Sequence, residues 1–156
     1  FFAEILAFLQ ATEIEETLFS SKTLIDFEGR IWNIERVIID YKQSTKTIYG
    51  GRCEISSGKY FETGQLILAD GQKMLSTRTY YWKSVGQGID SYFDDGSFFH
   101  SINLTCSRSI AHHFCADDEY EVRYDFSKWP LWVVKWCVRG PRKDYEMHSY
   151  YSEILI

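Results

Sequence analysis

The feature that most constrains this chain is a two-residue rhythm. In "EYEVRYDF", Glu119 to Phe126, the residues Tyr120, Val122, Tyr124 and Phe126 share one parity, and Glu121, Arg123 and Asp125 share the other. A helix would scatter that apolar set around its axis. A strand places it on one face, so the segment predicts a half-buried antiparallel strand. Similar runs are "RIWNIERVIID", "TIYGGRCEI", "KYFETGQLILA", "KMLSTRTYYWK", "GIDSYF", "SFFHSINLTC", "WVVKWCVRG" and "YEMHSYYSEI". Turn signals punctuate them at Gly50-Gly51, Ser57-Gly58, Asp70-Gly71, Asp94-Asp95-Gly96, Trp129-Pro130 and Gly140-Pro141.

About nine or ten strands in meander order, with no helix between them, predict a mainly β fold: an antiparallel up-and-down barrel of the calycin, or lipocalin-like, kind. A two-sheet sandwich is the alternative. One domain is expected from 156 residues, with the barrel over 29–156. Ahead of it, Phe1, Phe2, Ile5, Leu6 and Leu9 recur at helical spacing before Glu13, Glu15 and Glu16, which predicts a short amphipathic helical segment within 1–16.

Eleven Tyr, eleven Phe and five Trp suit a sheet interior filled by large side chains. The net charge of −5 lacks the long-range field that gathers nucleic-acid phosphates, so nucleic acid is not an expected partner. No apolar run reaches the roughly 18 to 20 residues of a transmembrane helix. The opening "FFAEILAFLQA" carries Glu4 and no basic leader, and reads as a helix that docks on the barrel or on a protein partner. The chain starts at Phe1 without methionine, which leaves a processed leader open. Cys53, Cys106, Cys115 and Cys137 fall singly, without a C-x-x-C pair, and read as free buried thiols of an intracellular, reducing compartment.

Parity also orients the polar candidates. His100 shares a face with Phe98, Ile102, Leu104 and Cys106, which predicts that it points inward. His113 and Cys115 share a face, with Asp117 next on that parity, while His112 points the other way. Convergence of His100, His113 and Cys115 at one barrel mouth would permit three chemistries. A metal would need further ligands, and His-x-Cys is a loose spacing for one. A Cys115 thiolate activated by His100 or His113, and oriented by Asp117 or Asp118, would be a nucleophile without a recognisable oxyanion element. Histidines hydrogen-bonded at the rim or in the interior, in reach of a ligand, are the expected case. In "VRGPRKDY", Arg139, Arg142 and Lys143 crowd a turn; a salt-bridged corner is expected, with an anion-reading Arg142 as the alternative.

Gly29, Trp32 and Arg36 stand in the order of a lipocalin-type first strand, with one more residue between glycine and tryptophan. There the glycine frees the chain to enter the barrel, and the tryptophan closes one end against the arginine. Farther along, "RTYYW" (Arg78 to Trp82), "FDDGSFFH" (Phe93 to His100), "HFCADDEY" (His113 to Tyr120) and "WVVKWCVRGPRKDYEMHSYY" (Trp132 to Tyr151) together resemble the uncharacterised domain family numbered 6314. The resemblance spans about Gly29 to Tyr151, and Ser152-Glu153 stand where that pattern has an arginine. It implies a small β-barrel and no established activity.

The interior is expected to be walled by Trp82, Trp129, Trp132 and Trp136 with Tyr80, Tyr92, Tyr120 and Tyr124. Such a wall suits a flat apolar molecule, haem or a bilin included, though no cofactor is fixed by it. The leading expectation is a noncatalytic barrel binding a small apolar or aromatic ligand through His100, His113, Cys115, Arg78, Tyr80, Trp82, Tyr120 and Arg142. A structural or accessory subunit docked through the N-terminal helix and exposed strands is the second. A small-molecule enzyme that depends on Cys115 or His113 is the third.

Overall fold

The computed structural model describes residues 3–5 and 19–155. Residues 3–5 are helical; the rest of the expected N-terminal helix lies outside the described residues. The first element inside the main body is a one-turn helix, α1 (Leu24–Phe27). Asp26 Oδ2 accepts from the Thr23 amide at 2.8 Å, which fixes the helix start. Gly29 then takes φ +71, a left-handed conformation that lets the chain leave α1 and turn into the first strand.

Ten antiparallel strands follow: β1 (Ile31–Asp40), β2 (Thr45–Ser56), β3 (Lys59–Ile67), β4 (Lys73–Val85), β5 (Gly88–Phe93), β6 (Phe98–Asn103), β7 (Arg108–Cys115), β8 (Asp118–Lys128), β9 (Leu131–Arg139) and β10 (Asp144–Ile154). They form one sheet in the order β6-β5-β4-β3-β2-β1-β10-β9-β8-β7. The first and last strands pair along their whole length, from Ile31 opposite Ile154 to Asp40 opposite Tyr145. The sheet thus curls into a nearly closed barrel of the expected mainly β, up-and-down kind. Its seam lies between β6 and β7, where the Asn103 amide donates to Ser109 Oγ at 2.9 Å in place of a backbone ladder.

His112 to Cys115 form the second half of β7, which turns at Ala116 and Asp117 into β8. Two local expectations are corrected. Gly50-Gly51 is not a turn: both residues lie inside β2, and Gly51 faces Gly64 of β3. A Cβ on Gly51 would come within 2.5 Å of the Tyr49 hydroxyl and 2.8 Å of its ring, so the glycine pair makes room for that ring. The second is in β6, where the register with β5 shifts between Ser91 and Tyr92. The extra residue, Phe99, is buried beside His100, and Phe98 is turned outward with 48% of its surface exposed.

One end of the barrel is plugged by rings. Phe27, carried in by α1, packs edge-on against Trp82, Phe126, Trp129 and Trp132 with centroids 4.9 to 5.7 Å apart. Trp32 sits in the same layer, and its Nε1 donates to the Phe27 carbonyl at 3.2 Å. The cation over its ring is Arg30 at 5.9 Å, not Arg36. Arg36 lies two same-face steps farther along β1 and stacks instead over Tyr49 at 4.9 Å. No helix among the described residues is long and apolar enough to cross a membrane.

Candidate functional site

At mid-height the apolar interior gives way to a polar layer. Arg36 of β1 and Glu62 of β3 are both buried, and Arg36 Nη1 and Nη2 donate to Glu62 Oε1 at 3.3 and 3.2 Å. Arg36 Nε donates to Ser149 Oγ at 2.6 Å, and Nη2 reaches the Tyr151 hydroxyl at 3.5 Å. Tyr151 and Tyr60 share a hydrogen bond of 2.8 Å between their hydroxyls. Burial opposes the charge on Arg36, but Tyr151, Glu62 and Tyr60 outweigh it and raise its pKa. Tyr49, above the pair, is pushed up to about 12 by burial and by Glu62.

Next to this layer is a cavity of about 30 Å³. A single water needs roughly 10 to 15 Å³ and a benzene-binding cavity about 150 Å³, so the space admits a group of a few atoms and leaves no room for a haem or a bilin. Three buried polar atoms on its wall have no hydrogen-bond partner among the described residues: Glu62 Oε2, His100 Nδ1 and Trp132 Nε1. Their residues are 1%, 3% and 1% exposed. Glu62 Oε2 is 3.1 Å from Arg36 Nη2 but off the line of a hydrogen bond. His100 Nε2 is 2.8 Å from the Tyr124 hydroxyl. Burial, and secondarily His113, lower the His100 pKa to about 4, so its imidazole is neutral at physiological pH.

Of the residues singled out from the sequence, His100, Arg78, Tyr80 and Trp82 line this cavity. His113 and Tyr120 stand nearer the mouth, with Phe99 between them and His100: ring centroids are 4.3 Å from Phe99 to His100, 5.3 Å to His113 and 6.0 Å to Tyr120. Cys115 is not part of the group. It keeps the parity of His113, but β7 ends there and its thiol is exposed on the rim. Cys106 is exposed as well, Cys137 is half-buried, and only Cys53 is the deeply buried thiol expected of all four, its pKa raised by burial. Arg142 is exposed in the turn, and the cation that reaches the mouth is its neighbour Lys143. Lys143 Nζ lies 3.0 Å from Asp118 Oδ2 and donates to the Tyr120 hydroxyl at 3.3 Å, contacts that raise its pKa. Glu62, Tyr60, Ser91, Ser149 and Tyr151, which line the cavity, were not singled out for it. No group of three His, Cys, Asp or Glu side chains suited to a metal occurs among the described residues.

Fold and site together define a small antiparallel barrel with one aromatic-plugged end and a polar, partly unsatisfied interior. Residues 27–153 match the model of a family of unknown function, DUF6314, and the chain belongs to that family. No curated protein and no solved structure matches it.

Proposed function

We propose that the chain is a noncatalytic, lipocalin-like carrier of a small apolar or aromatic ligand, whose polar end, a group of a few atoms, enters the cavity inside the barrel. The observation that supports this is the pair of buried polar atoms on one cavity wall, His100 Nδ1 and Trp132 Nε1, that have no hydrogen-bond partner among the described residues. Leaving a buried polar atom unsatisfied costs on the order of 1 to 3 kcal/mol, so two of them on one wall favour an occupant that bonds to them. The aromatic rings of Tyr80, Phe99 and Trp136 supply the apolar side. Unpaired cysteines suit an intracellular, reducing compartment.

Native mass spectrometry and an absorption spectrum of the chain purified from its natural source test the reading. A small molecule that is released on denaturation is expected. A bare polypeptide mass, with His100 and Trp132 NMR signals unmoved by a small-molecule library, would overturn it.

One observation favours an accessory subunit as the second reading. Phe98, Ile110 and Phe114 point outward beside the seam, the last with 70% of its surface exposed. That is the kind of apolar patch a protein partner covers. Subunits that co-purify with the chain and are lost in an Ile110→Asp, Phe114→Asp double variant would support it. Retention of the same subunits by that variant would count against it.

A further inference from the structure

The cavity wall carries two guanidiniums, Arg36 and Arg78, and one carboxylate, Glu62. Glu62 is taken up by Arg36. Arg78 stands opposite Glu62 in the register of β3 and β4, yet its guanidinium is directed elsewhere. It lies 5.6 Å over the Trp136 ring, with Nη2 3.9 Å from Met147 Sδ. No carboxylate lies within ion-pair distance of it among the described residues, and Asp118 at the mouth is held by Lys143. His100 adds no charge at neutral pH. One positive charge is therefore left over on the cavity wall, out of bulk solvent, where a counter-ion interacts more strongly than it would in water.

Resting on the reading of the barrel as a small-molecule carrier, we propose that its ligand is a monocarboxylate whose carboxyl group meets Arg78 at the mouth side of the cavity. A single excess charge matches a monoanion, whereas a phosphate monoester would bring nearly two negative charges beside Glu62. The guanidinium fork offers parallel donors to a carboxylate, and the Trp136 ring 5.6 Å away gives the cation an aromatic neighbour. A carboxyl group of three heavy atoms is also on the scale of the 30 Å³ cavity.

Butyrate and butyramide, alike in shape and different in charge, are the probes. Each is titrated into the full chain while the indole N–H signals of Trp132 and Trp136 are followed by NMR. Butyrate is expected to saturate at about tenfold lower concentration than butyramide, and Arg78→Gln to bring butyrate down to the level of the amide. Arg78→Lys should recover part of the difference. Equal binding of the two probes, or unchanged butyrate binding by Arg78→Gln, would overturn the carboxylate assignment and leave the carrier reading standing. Movement of neither indole signal by either probe would sink both. Should Arg78→Gln lose its dispersed spectrum, Arg78→Lys decides alone: weaker butyrate binding with butyramide unchanged is expected, and no change in either would refute the assignment.

Discussion

Glu62 and Arg36 hold each other inside a barrel whose neighbouring side chains are mostly rings, and neither can be neutralised alone without stranding the other. Glu62→Gln is expected to lower the unfolding free energy by about 3 kcal/mol, because it leaves a buried guanidinium without its counter-charge. The exposed pair of Arg123 and Glu121 on the outer face is the control: Arg123→Gln should cost no more than about 0.5 kcal/mol. Urea unfolding of the two variants checks both values. His100 predicts a pH dependence. Its folded pKa, about 4, lies below the ordinary histidine value, so below about pH 6.5 the unfolded chain binds a proton that the folded chain refuses. Stability is then lost as pH falls from about 6.5 to 4, by roughly 3 kcal/mol from this residue. His100→Phe should flatten that part of the curve relative to the parent, as read from urea midpoints at several pH values.

At the scale of elements, the seam is the least secured part of the wall. The Asn103 amide has Ser109 Oγ as its acceptor there, so Ser109→Ala should cost about 1 kcal/mol and speed hydrogen exchange at Asn103 while the β1–β10 ladder stays protected. The elements also show where the sequence could be read and where it could not. The run from Glu119 to Phe126 has rings on one parity and charges on the other, and β8 forms as that rhythm predicts. In "KYFETGQLI" both parities carry large apolar residues, with Phe61 and Ile67 on the outside, so nothing local marked Glu62 as the inward one. His100 was expected to point inward by counting from Phe98, and it is buried, but the bulge at Phe99 breaks the count: Phe98 is outside. Bulges arise from pairing between strands, and a period counted along one strand does not contain them. Arg78 was legible as a candidate, whereas its lack of a carboxylate partner depends on Glu62 being drawn toward Arg36 from another strand.

For the whole molecule, the ring-packed end is where stability concentrates. Phe27 touches five aromatic rings from a helix of a single turn, and Phe27→Ala should cost about 3 kcal/mol or more by opening a void that rings cannot collapse into. Thermal unfolding followed by near-ultraviolet circular dichroism would register it. The pairing of β1 with β10 has a different consequence. The strands at the two ends of the barrel sequence lie side by side in the middle of the sheet, and the free edges belong to β6 and β7, which are joined by the short stretch 104–107. A circular permutant cut in that stretch, with a linker from Ile154 back to Phe19, would therefore begin at β7 and end at β6. Its strands would be laid down in the order in which they sit around the wall, and every ladder would join neighbours in the new sequence. The one closure that spans the natural chain, Ile31 to Ile154, would become a local hairpin. Such a chain should keep the same barrel and reach it faster, since the longest loop would no longer have to close before the sheet can form.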